Sequence, residues 1–449
     1  MDYETLCNCF VAVFKHYKSN DTRVFVIHEL RDDSDSFIDF LRENVEERSF
    51  HISFNGLAFD GQVTNHIMEN HKQWGKGEVF ARKIYDFAQK TIDLINNRNF
   101  PPYAPWDLKI PHIDVYKLNH WDNMAKRSSL KWIEYTMDWN NILDMPIEHD
   151  TEITTQEEID MIIEYCINDV EATEEIYNKS KSLIALRLDL SKRYGINLLN
   201  ASEPRISKEL FSYYLSKELN IPKRDLKQLR TFRRVIKLED IILPYIKFET
   251  AEFNSLLDRF RTVELDPLSI KGAFKYSVKY RGVKTDFGLG GVHGATRAGV
   301  FEETEDMVIM SSDVTSFYPN LAIKNKWSPG HFPAQQFCDQ YEWFFNERKK
   351  IPKSDPRNYV YKIVLNSTYG LSNDENSFLY DPELTMRITL NGQLSLMMLY
   401  EMICEGIPNA IPLMHNTDGL ETRIPRKYVD KYMEICKQWE DTTNLQLEH

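Results

Sequence analysis

The sequence predicts an α/β fold over residues 1–180 and an α+β fold over 301–449, joined by a basic helical region, 181–300. In the first region, short β-rich runs alternate with helical stretches, which indicates a sheet covered by helices. In the last region, apolar strands flank a long helical section, 340–405. The region between them is distinguished by charge, since residues 205–300 hold 19 Lys and Arg against 11 Asp and Glu.

The bulk composition indicates a water-soluble protein with more than one core. The 449 residues are 42% hydrophobic and 27% charged, and no stretch approaches the roughly 20 apolar residues of a membrane span. Asp2 and Glu4 stand where a signal peptide carries positive charge, and the six cysteines form no CxxC pair. We therefore expect a cytoplasmic protein with reduced thiols and no membrane partner.

The charge distribution leaves two interpretations open for one segment. A net charge of −13 argues against nonspecific nucleic-acid binding by the whole chain. Within residues 222–237, however, seven basic residues face a single acidic one. The segment is either a solvated helix face or a surface that follows phosphates. The DNA-binding candidates are Lys223, Arg230, Arg233 and Arg234.

The stretch "IPLMHNTDGLE", 411–421, predicts a β-hairpin with Asp418 at or near its turn. Asp and Gly are good turn residues, so Asp418 alone needs no further explanation. A catalytic role would require a partner carboxylate elsewhere. Asp313 is the candidate, because it ends the apolar run in "MVIMSSDVTSFYPN", 307–320, just before a turn.

Between these two aspartates lies "YKIVLNSTYGL", 361–371, which predicts a helix. Lys362, Asn366 and Tyr369 stand at positions i, i+4 and i+7 and share one helix face. Such a polar face is either exposed to solvent or part of a site.

Together these three segments resemble the DxxSxYP, KxxxNSxYG and DTD-type hairpin motifs of family-B DNA polymerases, in the same order. The resemblance implies a polymerase palm with helical fingers. In it, Asp313 and Asp418 would hold Mg²⁺, with Mn²⁺ as a possible substitute, for transfer of a dNTP to a primer 3′-hydroxyl.

The resemblance also implies the remaining nucleotide-binding and template-binding roles. The backbone of Ser316 and Phe317 would cradle the triphosphate, and Tyr318 would exclude a 2′-hydroxyl. Lys362 and Arg348 would contact the triphosphate. The nascent base pair would be lined by Asn366, Tyr369 and Gly370, and template phosphates would meet the glycine-rich stretch at Gly290 and Gly291.

Three acidic motifs occur in the first region, each with an ordinary structural explanation when taken alone. They are Asp2 with Glu4 in "MDYETL", Asn55 with Asp60 in "FNGLAFDG", and Tyr165 with Asp169 in "EYCINDVEAT". As an ordered set they resemble the motifs of DEDD proofreading exonucleases, which have an RNase H-like fold.

This second resemblance implies a two-metal 3′–5′ exonuclease site. Its metal ligands would be Asp2, Glu4, Asp60 and Asp169. Tyr165 would orient the attacking water, and the DNA contacts would be Asn55, Ser129 and Leu130. Asp114 is interpreted as structural.

Three features depart from these families. Asp2 lies at the start of the sequence, where a frayed strand would hold it poorly. The hairpin has Asn416 where most family members have Asp. A thumb that grips duplex DNA is missing, so we expect a missing segment or a separate chain to supply it.

The leading hypothesis is a phage-type, DNA-templated DNA polymerase with proofreading, acting on primer–template DNA and dNTPs in the cytoplasm of an infected bacterium. Asp313 and Lys362 are only 49 positions apart, which favours a nucleic-acid primer over a protein primer. One alternative is an exonuclease-only protein, or an incomplete fragment, whose polymerase half is inactive without a thumb. The other alternative is a non-catalytic DNA-binding scaffold.

Overall fold

The computed structural model describes residues 1–123 and 127–449, which form two compact units, Met1–Glu203 and Pro204–His449. The first unit extends beyond the predicted boundary at residue 180. The reason is that Ile184 and Leu199 pack against Leu118 of the first unit, so the helix after residue 180 belongs to this core.

The first unit contains five strands and seven helices within the described residues, apart from one short 3₁₀ turn. Its strands are β1 (Asp2–Thr5), β2 (Phe10–Lys15), β3 (Thr22–Ile27), β4 (His51–Ser53) and β5 (His112–Asp114). Its helices are α1 (Ser34–Glu46), α2 (Asp60–Asn70), α3 (Glu78–Asn96), α4 (Val115–Leu118), α5 (Leu130–Thr136), α6 (Gln156–Lys179) and α7 (Lys181–Tyr194).

Strand β2 lies at the centre of an antiparallel sheet, β1-β2-β3, and is buried on both faces. Phe10, Ala12 and Phe14 point into a core shared with α1, α2 and α3. Val11 and Val13 point into a second core shared with α6. A strand that is covered on both faces needs apolar side chains at every position, which explains the continuous apolar sequence "FVAVF".

Strand β1 is held firmly, so the predicted fraying at Asp2 is wrong. Asp2 pairs with Val13 in the β1–β2 ladder. The Met1 side chain is buried, and its ammonium group donates a hydrogen bond of 2.9 Å to the Ile52 carbonyl oxygen. Tyr3 faces the aromatic core, which leaves Asp2 and Glu4 together on the opposite face of the strand.

The second unit has a larger sheet and longer helices. Its strands are β6 (Ile236–Lys237), β7 (Glu264–Leu265), β8 (Tyr276–Tyr280), β9 (Val283–Phe287), β10 (Val292–Ala295), β11 (Met307–Val314), β12 (Ile411–His415), β13 (Gly419–Pro425) and β14 (Leu447–Glu448). Its helices are α8 (Glu203–Glu218), α9 (Lys223–Leu226), α10 (Ala251–Arg261), α11 (Ile270–Ala273), α12 (Phe317–Lys324), α13 (Ala334–Lys349), α14 (Pro356–Leu371), α15 (Pro382–Gly406) and α16 (Val429–Thr443).

Seven of these strands form one antiparallel sheet in the order β14-β11-β13-β12-β10-β9-β8. The hairpin predicted over 411–421 is the β12–β13 pair. The sequence interpretation missed β8, β9 and β10, which belong to this sheet although they lie in the region expected to be helical and then glycine-rich. Helix α15 is the main buried helix of the unit, with most of its side chains inside the core.

No helix in the described part of the chain combines the length and apolar character needed to cross a membrane. All six cysteines are free thiols.

Candidate active sites

Asp313 and Asp418 lie together where β11 meets the β12–β13 hairpin. In the β11–β13 ladder Asp313 is opposite Gly419, and the Val314 N–H donates a 2.7 Å hydrogen bond to the Asp418 carbonyl oxygen. A Cβ atom on Gly419 would lie 1.8 Å from Oδ1 of Asp313. The glycine after Asp418 therefore leaves space for the Asp313 carboxylate, in addition to helping the turn.

The turn itself depends on Asn416, the residue that departs from the family pattern. Its side-chain oxygen accepts hydrogen bonds from the N–H groups of Asp418 at 3.3 Å and Gly419 at 3.1 Å. Its own N–H donates to the Gly419 carbonyl oxygen at 2.9 Å. Asn416 thus fixes the conformation that presents Asp418.

A third carboxylate, Glu448, reaches this position and was missed in the sequence. Strand β14 pairs with β11 so that Glu448 is opposite Asp313. Partial burial raises the pKa of Asp313, and the charges of Asp418 and Glu448 raise it further. Three acidic groups at one strand end attract a cation.

These carboxylates line one cavity of about 600 Å³ together with basic side chains. Lys362 and Asn366 project into it from α14, and Arg348 projects from α13. Burial lowers the pKa of Arg348, while the charge of Glu448 opposes that shift. The sequence interpretation did not name two further lysines in the cavity wall, Lys349 and Lys353.

Backbone N–H groups also line this cavity, at the start of α12. Ser316 precedes the helix in a left-handed conformation, with φ of 44°. In the described part of the chain, the amides of Ser316 and Phe317 have no acceptor. Unpaired amides at a helix start can bind an anion.

Tyr318 lies below the cavity and is nearly buried. Its hydroxyl donates a 2.8 Å hydrogen bond to the Gly290 carbonyl oxygen, and its ring meets the Tyr369 ring edge-on, with centroids 4.8 Å apart. Gly392 of α15 provides the space, because a Cβ there would lie 2.8 Å from the Tyr318 ring. The ring is thus held on three sides.

The glycine-rich connection from β9 to β10 packs beside the hairpin. A Cβ on Gly291 would lie 2.5 Å from the Thr417 side-chain oxygen, so the backbone approaches the hairpin closely. Gly290, Tyr369 and Gly370 line a neighbouring cleft of about 760 Å³. This cleft is next to the cavity, since Tyr369 borders both.

The basic segment 222–237 is mostly engaged inside the second unit. Lys223 forms an ion pair of 2.6 Å with Glu209 of α8. Arg230 donates hydrogen bonds of 3.0 Å to the carbonyl oxygens of Glu375 and Asn376. The charges of Lys223 and Arg230 therefore serve internal contacts in the described structure, and a phosphate-binding role for this segment stays a prediction.

Of the two adjacent arginines, Arg233 is paired inside the unit and Arg234 is exposed to solvent. Arg233 donates two hydrogen bonds, of 3.0 and 2.8 Å, to the carboxylate of Asp381, which is buried at the start of α15. Arg234 is exposed and forms no ion pair with any described residue. Of the four named candidates, Arg234 alone keeps a side chain directed to solvent without such a partner in the described structure.

In the first unit, the acidic residues predicted to form an exonuclease site influence one another electrostatically. Asp2 and Glu4 lie on β1, Asp60 begins α2, and Asp169 lies on α6. Burial raises the pKa of Asp2, Asp60 and Asp169 to about 7 each. The charge of Asp60 adds to the shift of Asp2, and the charge of Asp2 adds to that of Asp169.

Asp114 organises the loop that leads to Asp60. Its carboxylate accepts hydrogen bonds of 3.0 Å from the N–H groups of Asn55 and Leu57, and it also caps α4. Asn55 has a positive φ of 64°, a conformation that asparagine tolerates. This agrees with the structural interpretation of Asp114.

Helix α5 borders this acidic cluster, and the residues expected to grip DNA have structural contacts there. The Ser129 hydroxyl caps α5 by accepting the Trp132 N–H at 3.2 Å, and Leu130 packs against Val115 and Ile133. The sequence interpretation missed Glu134, which is fully buried.

Both carboxylate oxygens of Glu134 lack a partner among the described atoms. Burial raises the pKa of Glu134 to about 7, with the charge of Asp169 contributing. Nothing in the local sequence separates Glu134 from an exposed helix residue.

The donor atoms of both sites suit a hard divalent cation. Oδ1 of Asp60 is buried without a hydrogen-bond partner among the described atoms, and the crowded carboxylates of the first unit repel one another. Mg²⁺ prefers oxygen ligands and would relieve that repulsion. Cys166, whose Sγ lies 3.8 Å from Oδ2 of Asp2, is a softer donor that Mg²⁺ does not favour.

We expect the buried carboxyl of Asp60 to make the metal-free protein less stable as pH rises. The pKa of Asp60 is about 7 in the folded protein and exceeds the ordinary value of 3.8. The contribution of this carboxyl to the free energy of unfolding is therefore full below about pH 4 and is lost progressively as the pH rises to about 7. In EDTA, the melting temperature of Asp60→Asn minus that of the wild type should therefore increase over this range. Asp86→Asn, at an exposed site, should give a flat difference, and a flat difference for Asp60→Asn would contradict the expectation.

No protein-family model matches this chain, and no curated protein matches it. Among solved structures, the chain is similar to the family B DNA polymerase from the hyperthermophilic archaeon Pyrobaculum calidifontis, with a TM-score of 0.48 and 14% sequence identity. The similarity covers 100% of this chain and 55% of that one, so the chain spans about half the length of that polymerase. A likeness this weak assigns no function, and the residues of the two sites must carry the inference.

Proposed function

We propose that this protein is a DNA-templated DNA polymerase that extends a primer with dNTPs and proofreads with a 3′–5′ exonuclease. The observation that carries the proposal is the pairing of Asp313 with Asp418 at a cavity also lined by Lys362 and Arg348. Nucleotidyl transfer requires this combination, because cations must bind the triphosphate while carboxylates bind metal.

The polymerase site divides this work among its side chains. Lys362 and Arg348 bind the triphosphate, and the free N–H groups of Ser316 and Phe317 donate hydrogen bonds to its oxygens. Asp313 and Asp418 are the residues suited to hold Mg²⁺, or Mn²⁺, which when bound stabilises negative charge on the attacking and leaving oxygens. Asn366 and Tyr369 border the cavity, and Tyr369 and Gly370 border the neighbouring cleft. In the proposal these three residues line the nascent base pair.

The exonuclease part of the proposal rests on the acidic cluster of the first unit. Asp2, Glu4, Asp60 and Asp169 are the residues suited to hold metal, which when bound activates water and stabilises the leaving 3′-oxygen. Tyr165 would orient that water, and its hydroxyl stays protonated because burial and then the Asp169 charge raise its pKa. A phage origin and a nucleic-acid primer remain predictions from the sequence.

A labelled hairpin primer–template, incubated in Mg²⁺ with and without dNTPs, tests the proposal. Lengthening with dNTPs and shortening without them is the expected result. Shortening alone would favour an exonuclease-only protein, and neither reaction would leave a DNA-binding scaffold.

Tyr318 is expected to select the sugar of the incoming nucleotide. Tyr318→Ala opens space beneath the 2′-carbon, so ribonucleotide incorporation relative to dNTP should rise about tenfold or more, on the scale of ~1–3 kcal/mol. Tyr318→Phe is the control, because it keeps the ring against Tyr369 and loses only the hydrogen bond to Gly290. Competition between rNTP and dNTP measures the ratio, and an unchanged ratio in Tyr318→Ala would refute the role.

A further inference from the structure

One thiol of the first unit lies among carboxylates. The Cys166 side chain is completely buried on α6, and its Sγ lies 3.5 Å from the carbonyl oxygen and 3.8 Å from Oδ2 of Asp2. A carboxylate oxygen of Asp2, one of Glu4 and this Sγ all lie within 4.8 Å of one another. Among the described residues, no other cysteine belongs to such a group of donor atoms. A buried cysteine usually acts as a small apolar residue, so these acidic neighbours require an explanation.

The fold brings the three donors together from two elements. Asp2 and Glu4 pair with Val13 and Val11 across the β1–β2 ladder, so all four side chains leave the same face of the sheet. Helix α6 covers that face, and Cys166 packs there in the core that contains both valines. Asp2 and Glu4 are half-buried, and Glu4 borders a cavity of about 460 Å³. A cation therefore has an entry path from the side of the carboxylates.

A fourth donor, Asp60, is an independent sign that a cation belongs here. Asp60 is only 3% exposed, and its Oδ1 has no hydrogen-bond partner among the described atoms. Burial raises the pKa of Asp2 and of Glu4, and the charge of Asp60 raises both further. Ionised carboxylates in a protein interior are normally paired or bound to a metal. The group thus has more negative charge than its hydrogen bonds compensate.

The sulfur decides which cation suits this group. Mg²⁺ prefers oxygen ligands in an octahedron, whereas Zn²⁺ binds four donors and accepts thiolate together with carboxylate. Tetrahedral zinc, with bonds of about 2.0–2.3 Å, separates its donor atoms by roughly 3.3–3.5 Å. Atoms that already lie within 4.8 Å of one another need only small side-chain shifts to reach that separation. The three donors therefore fit zinc, with Asp60 or water as the fourth ligand.

We propose that Asp2, Glu4 and Cys166 form a binding site for Zn²⁺, and that zinc bound there inhibits the exonuclease. The thiol is protonated without metal, because burial raises the pKa of Cys166 and the charges of Asp2 and Glu4 raise it further. Zinc binding replaces the S–H bond with a Zn–S bond and releases the proton to solvent. Asp2 and Glu4 are also suited to hold Mg²⁺, so the two cations exclude each other. The inhibition rests on the proposed exonuclease, whereas zinc binding itself does not.

The polymerase site gives a comparison within the same chain. The described residues that line the cavity at Asp313 and Asp418 include no cysteine, histidine or methionine. Without a soft donor, that site should have a smaller preference for zinc over Mg²⁺. In Mg²⁺, half-inhibition of shortening should require at least about tenfold less Zn²⁺ than half-inhibition of extension. Extension that is as sensitive to zinc as shortening would overturn the selective inhibition.

Cadmium reports the metal–sulfur bond independently of activity. A Cd²⁺–thiolate bond absorbs in the ultraviolet, so Cd²⁺ is titrated into the full chain in buffer without thiol reagents. The absorption of the wild type should exceed that of Cys166→Ser by the amount expected for a single thiolate. Cys166→Ala removes the same donor and should match Cys166→Ser, so the test remains valid if either variant fails to fold. Cys9→Ser changes another fully buried thiol of the unit, outside the group of donor atoms, and should match the wild type.

Zinc inhibition of shortening tests the consequence. Each variant is compared with its own rate in Mg²⁺ alone, so a change in basal rate does not affect the comparison. Cys166→Ser and Cys166→Ala should need at least about tenfold more Zn²⁺ for half-inhibition than the wild type, and Cys9→Ser should need the same concentration as the wild type. Equal Cd²⁺ absorption by the wild type and the Cys166 variants would overturn the zinc site. Equal zinc sensitivity would overturn the inhibition.

Failure of the zinc site and failure of the exonuclease give different results. If Cd²⁺ absorption depends on Cys166 but no DNA is shortened in Mg²⁺, the zinc site is supported and the exonuclease is refuted. If the wild type shortens DNA in Mg²⁺ while Cd²⁺ absorption is the same with and without Cys166, the zinc site alone is refuted.

Discussion

Replacing Asp418 with Asn is expected to lower primer extension by at least about a hundredfold, a loss of roughly 2.7 kcal/mol or more in transition-state stabilisation. Asn keeps the size and turn preference of Asp but removes the charge beside Asp313. The backbone contact of position 418 with Val314 is also retained. The melting temperature should therefore be unchanged, and single-nucleotide extension rates would measure the loss.

Asn416 provides the matched control in the same turn. Asn416→Asp keeps the side-chain oxygen that accepts the two turn N–H groups, so extension should be largely retained. Asn416→Ala removes that oxygen and should therefore lower the melting temperature. Its loss of extension rate should be much smaller than the loss caused by Asp418→Asn. Equal, small losses at positions 416 and 418 would mean that Asp418 is only a turn residue.

Removing Asp60 and Asp169 together is expected to abolish 3′–5′ shortening and to leave extension intact. The double variant Asp60→Ala with Asp169→Ala deletes two carboxylates that no neighbouring side chain replaces. Because they belong to the first unit and Asp313 belongs to the second, the two activities should separate. Gel analysis of a 3′-mismatched and a matched primer measures both reactions.

The exposed pair Asp86→Ala with Asp93→Ala removes the same charge from the first unit, away from the cluster, and should affect neither activity. If the Asp60 and Asp169 double variant stopped extension as strongly as shortening, a model with two independent sites would be wrong.

Local patterns were sufficient to predict the elements around Asp313 and Asp418. Each of three patterns predicts a local structure from residues that are close in the sequence: an apolar run ending in Asp, a helical face at i, i+4 and i+7, and an Asp-Gly turn. The missed strands β8 and β9 are only five residues long each, beside glycines that suggested a loop. Strand β9 alternates buried and exposed residues, whereas β8 alternates half-buried and exposed residues and buries only Tyr280. Short strands of this kind depend on their neighbours in the sheet more than on their own sequence.

Tertiary contacts account for what the sequence could not reveal. Glu448 meets Asp313 only because the two-residue strand β14 pairs with β11. Likewise, composition cannot separate a cation that faces phosphate from one that is paired internally. The sequence of the basic segment contains no sign that Arg233 is bonded to Asp381, which is distant in the chain and buried in the fold.

The most direct test of the central claim, that Asp418 is a metal ligand for nucleotidyl transfer, is metal rescue of Asp418→Cys. A thiolate binds Mg²⁺ poorly but binds Mn²⁺ and Cd²⁺ better, because these ions accept softer ligands. The variant should extend a primer at least about a hundredfold more slowly than the wild type in Mg²⁺, and Mn²⁺ or Cd²⁺ should restore a large part of the rate. Extension by Asp418→Cys that is equally slow in every metal, or nearly normal in Mg²⁺, would contradict the claim.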